Sequence, residues 1–139
     1  SGEVLIKKGI DNFGYVGHRN GLYDTQTVDS FLYFWKNIFN YKKSYQTIIE
    51  YFNLNKFIDV PVSSLSFGQK KKLSFARLIM MKSKIWLLDE PLSGLDKKTK
   101  KIILKLIQEH LSLGGGALAT SHERLSYFDK NKITRVKID

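Results

Sequence analysis

Cysteine is absent from the 139 residues, which excludes a disulfide framework and any thiolate metal site and agrees with a reducing compartment. Long apolar runs are missing as well: no uncharged stretch approaches the roughly 18–20 residues that a membrane-spanning helix needs. The N-terminus shows no basic-then-apolar leader, so any membrane association is expected to be peripheral. Acidic residues are scarce, 13 Asp and Glu against 23 Lys and Arg, for a net charge of +10. Such an excess suits nucleotide phosphates, nucleic acid or an anionic membrane surface. Nearly all of it is lysine spread along the chain, as on a solvated surface, so no specific nucleic-acid partner is expected. Repeats and low-complexity segments are also lacking, and the length suits one domain or part of one. Ser1-Gly2-Glu3-Val4 runs straight into an apparent strand, as expected of a piece of a larger protein.

What is present concentrates between Ser64 and Asp96. Leu65-Ser66-Phe67-Gly68-Gln69 places a hydroxyl and a glycine where a helix begins, so backbone amides there can meet an anion closely. Ile85 stands 16 residues after Gln69 and opens Ile85-Trp86-Leu87-Leu88, which ends in Asp89-Glu90. This is the pattern of a fully buried strand that delivers two carboxylates to its C-terminal edge.

In chain order, Val4–Lys7 and Asn12–Val16 read as strands, and Asn20-Gly21 as a turn. Thr27 suits the N-cap of a helix over 28–39 with an apolar stripe of Phe31, Phe34, Trp35, Ile38 and Phe39. A second helix is predicted over 43–53, and a third from Gly68 to Met80. Pro91 stops the Ile85–Asp89 strand, and Asp96 caps a helix over Lys97–Leu111. Gly114-Gly115-Gly116 breaks that helix, Ala117–Thr120 follows as a second buried strand, and Ile133–Ile138 alternates as an edge strand. The alternation predicts an α/β domain with a mostly parallel sheet. A helical insertion over about 28–82 would interrupt core elements at about 1–20 and 83–139.

Paired acids after a buried strand suit phosphoryl chemistry: Asp89 can hold Mg²⁺ while Glu90 polarises an attacking water. His122, at the exit of the next strand, can steady a terminal phosphate. Lys70, Lys71 and Lys72 sit in the first turn of the third helix, where cations oppose the helix dipole at a cost of about 0.3–1 kcal/mol each. That choice hints at an anion from outside, with a lysine-rich surface as the equal alternative.

The succession of LSFGQ, IWLLDE, SGLD and His122 resembles the ATP-binding-cassette ATPases, which have a P-loop NTPase-like fold. The resemblance implies that Leu65, Ser66, Phe67, Gly68 and Gln69 form the signature motif. It makes Asp89 the Mg²⁺-holding aspartate, Glu90 the catalytic glutamate, Ser93–Asp96 the D-loop and His122 the switch histidine. It further implies ATP and Mg²⁺ as cofactors, transmembrane permease subunits as partners, and a head-to-tail dimer of nucleotide-binding subunits. The place would be peripheral, on the cytoplasmic face of the inner membrane.

Two positions depart from the family pattern. Phe67 replaces a usual small residue, and His18 stands where the family carries a glutamine that contacts Mg²⁺ and couples the site to the membrane subunit. Tyr15-Val16-Gly17-His18-Arg19-Asn20-Gly21, with Val60-Pro61-Val62 and Gly115-Gly116, is similar to the heme-exporter ATPases of cytochrome c maturation. The phosphate loop G-x-x-x-x-G-K-[ST] does not occur in the 139 residues; in the family it lies upstream, so the chain is expected to be the C-terminal part of a nucleotide-binding domain. Alternative readings are a soluble cassette ATPase acting on nucleic acid or ribosomes, and a truncated, non-catalytic cassette.

Overall fold

The computed structural model describes residues 13–17, 22 and 25–122. The expected strands Val4–Lys7 and Ile133–Ile138, the Asn20-Gly21 turn and His18 lie outside the described residues. Within them the order is β1 (Phe13–Val16), α1 (Val28–Ile38), α2 (Gln46–Phe52), α3 (Phe67–Met81), β2 (Ile85–Asp89), α4 (Lys97–Ser112) and β3 (Gly116–Thr120).

The three strands pair in parallel in the order β1-β2-β3. Parallel neighbours need a long crossover, and helices supply both, α1 to α3 before β2 and α4 before β3. Register places Val16, Leu88 and Ala119 in one row, and Tyr15, Leu87 and Leu118 in the row facing the other way. Trp86 lies between the two long helices, edge-on to Phe75 of α3 at 6.2 Å and stacked on His110 of α4 at 3.8 Å. Gly14 lets α3 approach β1, because a Cβ there would run into Leu78 and Ser83.

Both long helices therefore meet the same side of the sheet, while α1 and α2 pack on α3. This corrects the expectation of strands buried on both faces. In β2 the residues alternate between buried and half-buried, and β3 is mostly exposed. Tyr15 is 56% and Leu118 68% exposed, because no described helix covers their face.

Thr27 caps α1 as expected, its Oγ1 accepting from the Ser30 amide at 3.2 Å. The buried stripe is rotated from the predicted one: Val28, Phe31 and Leu32 point inward, whereas Phe34 and Ile38 are 43% and 58% exposed. α2 is shorter than predicted: it opens at Gln46 rather than at residue 43, and it stops at Phe52 where Asn53 adopts a left-handed conformation (φ 54°). Tyr45 donates to Asp29 Oδ1 at 2.8 Å and Tyr51 to Glu109 Oε2 at 3.1 Å, tying α2 to α1 and to α4. Main-chain bonds from Val28 to Val60 and from Val62 to Gln26 close the helical segment at its base. No helix among the described residues is long and apolar enough to cross a membrane.

Candidate functional site

The acidic pair stands at the C-terminal edge of the sheet, as the strand pattern predicts. Parallel register sets Thr120 opposite Asp89, and the threonine joins the two acids. Its Oγ1 donates to Asp89 Oδ1 at 2.8 Å and accepts from the Glu90 amide at 3.1 Å. Glu90 adopts a left-handed backbone (φ 45°), a conformation that costs a non-glycine residue of order 1 kcal/mol. Glu90 Oε1 accepts from the His122 amide at 2.8 Å, and the imidazole Nε2 lies 3.6 Å from the same oxygen. The structure thus brings Asp89, Glu90 and His122 into one cluster around Thr120, which sequence reasoning missed. The chemical signal was a polar β-branched residue at a strand end; the register that makes it matter is not visible in a sequence.

The LSFGQ turn and Asp96 form a second group. Ser66 caps α3 and Gln69 reciprocates: Ser66 Oγ accepts from the Gln69 amide at 3.3 Å, and Gln69 Oε1 accepts from the Ser66 amide at 2.7 Å. Ser66 and Gln69 are therefore engaged with each other, and the helix begins at Phe67. Asp96 caps α4 through Thr99, whose amide donates at 2.9 Å and whose hydroxyl donates at 2.8 Å. These bonds hold the Asp96 carboxyl below the usual aspartate range.

Gly68 faces this cap, because a Cβ on it would lie 3.5 Å from Thr99 Oγ1 and 3.7 Å from Asp96 Oδ2. Phe67 packs toward the turn in the same way: a Cβ on Gly94 (φ 69°) would lie 3.4 Å from its Cε1. Buried Leu92 and Leu95 anchor the SGLD turn, and buried Leu65 anchors the start of the signature.

Of the lysines that follow Gln69, Lys71 and Lys72 are buried, which corrects both readings of them, as cations awaiting an outside anion and as surface lysines. Lys71 Nζ donates to the Gly17 carbonyl at 3.2 Å and lies 5.6 Å from the Phe67 ring. Burial pushes the Lys71 ammonium down from the usual lysine range, with the charge of Asp89 opposing. Lys72 is lowered chiefly by burial, against the attraction of Asp96.

A parallel sheet that carries paired carboxylates at its C-terminal edge, beside a helix entered through a glycine-bearing turn, defines an α/β domain of the nucleotide-binding class. The family model described as ABC transporter matches residues 6–93. The chain belongs to the ABC transporter family. It is 35% identical over 118 residues to the cytochrome c biogenesis ATP-binding export protein CcmA of Paracoccus denitrificans, spanning 85% of this chain and 56% of that protein. Against the CcmA of Legionella pneumophila it is 38% identical over 133 residues, spanning 89% of this chain and 66% of that one.

Among solved structures, a metal-chelate type ABC transporter in an inward-facing conformation superimposes with a TM-score of 0.63 at 25% identity, covering 80% of this chain and 48% of that one. An ATP-binding subunit of an ABC transporter gives 0.67 at 22% identity, covering 79% and 48%.

Proposed function

We propose that this chain is the signature- and carboxylate-bearing part of an ATP-binding subunit that couples ATP hydrolysis to export. The similarity to the cytochrome c biogenesis export proteins makes heme export for cytochrome c maturation the proposed task. One observation carries the reading: Thr120 holds Asp89 and Glu90 in a fixed relation at the strand ends, with His122 bonded to Glu90.

In this reading Glu90 accepts the proton of the attacking water, and the His122 amide bond sets the direction of its carboxylate. The exposed imidazole of His122 is placed to meet a terminal phosphate. Asp89 is the residue that would hold Mg²⁺. A hard carboxylate oxygen, oriented by Thr120, suits an ion that takes one or two carboxylates and completes its shell with water and phosphate. Bound there, the ion would screen charge on the transferring phosphoryl group. The Leu65–Gln69 turn and Asp96 would serve the nucleotide of a second, head-to-tail subunit. Permease subunits would hold the assembly peripherally at the cytoplasmic face of the inner membrane, with no nucleic-acid partner.

The test is Glu90→Gln in the full-length protein. Turnover of ATP is expected to fall by about 10²-fold or more, the range of a lost general base, while ATP binding is kept. Undiminished hydrolysis would refute the role given to Glu90.

A further inference from the structure

The end of the sheet opposite Asp89 and Glu90 carries a groove of about 580 Å³, between the C-terminal turns of α3 and α4 and the residues that lead into β2 and β3. Glycines keep it open: a Cβ on Gly114 would meet nothing within 4 Å, and one on Gly115 would run into the His110 ring. Leu78, Ile79, Leu106 and Leu113 give it an apolar wall, of which Leu113 is 87% exposed. The other wall is the connection from α3 into β2, where Lys82, Ser83, Lys84 and Trp86 each bring a side-chain donor.

These donors exceed what the chain offers them. Ser83 Oγ and Trp86 Nε1 are buried and have no hydrogen-bond partner among the described residues, a cost that native interiors seldom leave uncompensated. Lys82 and Lys84 are exposed and form no ion pair among the described residues; Lys82 Nζ lies over the Tyr41 ring at 5.6 Å. Glu109, the carboxylate of the lining, is taken by Tyr51 at 3.1 Å and by Lys105 at 3.7 Å. His110 Nε2 faces the Lys84 and Gly116 carbonyls at 3.1 and 3.3 Å. The helix ends leave little negative potential against an anion, because the amides of Lys82, Leu113, Gly114 and Gly115 already bond carbonyls of the last turns.

We propose that this groove binds a small amphipathic anion, with its apolar body along the leucine wall and its head on the donors of residues 82–86. The volume falls within the span of small-molecule sites, roughly 300–1,000 Å³, and an apolar lining with a few convergent polar groups is their usual make-up. The site is independent of the ATPase reading, since it shares no residue with the acidic cluster or the signature turn.

The test uses the full-length protein with octanoate as the probe, followed by calorimetry and by the indole N–H resonances in proton–nitrogen NMR spectra. Octanoate should fill one saturable site per chain, about tenfold tighter than octanol, which keeps the apolar body and lacks the charge. The Trp86 indole resonance, assigned by its loss in Trp86→Phe, should shift along the same saturation curve while that of Trp35 stays in place. The double variant Lys82→Gln, Lys84→Gln alters two exposed positions. It should weaken octanoate by about tenfold and leave octanol within about twofold. Octyl phosphate supplies the second head group: a saturable site for either anion supports the proposal, and the tighter of the two identifies the head. No saturable site for either, equal affinity for octanoate and octanol, a shift at Trp35 instead of Trp86, or undiminished binding in the double variant would each overturn it. Attachment to anionic phospholipid vesicles without an octanoate site would overturn it as well, and would make the two lysines part of a membrane-facing surface.

Discussion

Replacing Thr120 by valine keeps the β-branched shape of the strand end and deletes only the hydroxyl that joins the two acids. Two bonds go with it, one of 2.8 Å to Asp89 and one of 3.1 Å from the Glu90 amide. A hydrogen bond to an ionised carboxylate contributes about 1.5–3 kcal/mol when shielded, and one between neutral groups about 0.5–1.5. Both bonds here are solvent-exposed, so water recovers part of each. The left-handed Glu90 works the other way, since its amide bond helps to offset backbone strain. The expected loss is about 1–2 kcal/mol. In urea at 10 °C, with a slope of roughly 2 kcal/mol per molar, the unfolding midpoint should fall by about 0.5–1 M at unchanged slope. A cycle with Asp89→Ala assigns the loss: the two substitutions should couple by about 1 kcal/mol, since each removes the same bond. A midpoint within about 0.15 M of wild type, equivalent to roughly 0.3 kcal/mol, or strict additivity in the cycle, would show that Thr120 is a bystander.

Two further outcomes are expected. Gly14→Ala forces a methyl group into Leu78 and Ser83, so it should destabilise by about 1–3 kcal/mol in the same titration, and adding Leu78→Ala should recover less than additive loss. Burial first, and then the bond to Asp29, raises the Tyr45 phenol to about 12. Between about pH 10 and 12 the unfolded chain therefore releases this proton before the folded one does, and stability falls as pH rises across that window. The difference in 295 nm absorbance titration between wild type and Tyr45→Phe should locate Tyr45 near 12; a midpoint near 10 would contradict the buried geometry.

Elements built on strong local chemistry were legible in the sequence. β2 has the predicted bounds because four apolar residues before two acids leave little alternative, and α4 starts where Asp96 can cap it. The acidic cluster followed, since strand ends in a parallel sheet share one edge. Periodicity was a poorer guide to faces: it says that Phe34, Ile38, Tyr15 and Leu118 are apolar, not whether anything lies against them. Lysine carries the same ambiguity in reverse. Lys71 and Lys72 read as surface charges, and only the three-dimensional proximity of Gly17 and Asp96 makes their burial possible. The one local hint was their conflict with the helix dipole, which pointed to an anion from outside where the chain itself supplies the Gly17 carbonyl and the charge of Asp96.

That conflict also clarifies how the LSFGQ turn divides its labour. A helix start leaves amide groups without intrahelical partners. The capping box satisfies those of Ser66 and Gln69 through side chains, which fixes the turn; the Ser66 oxygen only accepts in it, so its O–H is still a donor that an anion can use. Gly68 lies in the first helical turn, and the space its missing Cβ leaves faces the Asp96–Thr99 cap of the same chain. If the turn meets a phosphate on a second subunit, the backbone amides of the first helical turn and the Ser66 O–H are the donors able to meet it. Ser66→Ala should then weaken the helix start by about 1 kcal/mol, through the lost cap, and would remove the hydroxyl donor as well. The lysines point the same way: Lys71 and Lys72 are buried rather than exposed, so an anion that met this turn would be held by oriented amides and the Ser66 hydroxyl rather than by those two cations.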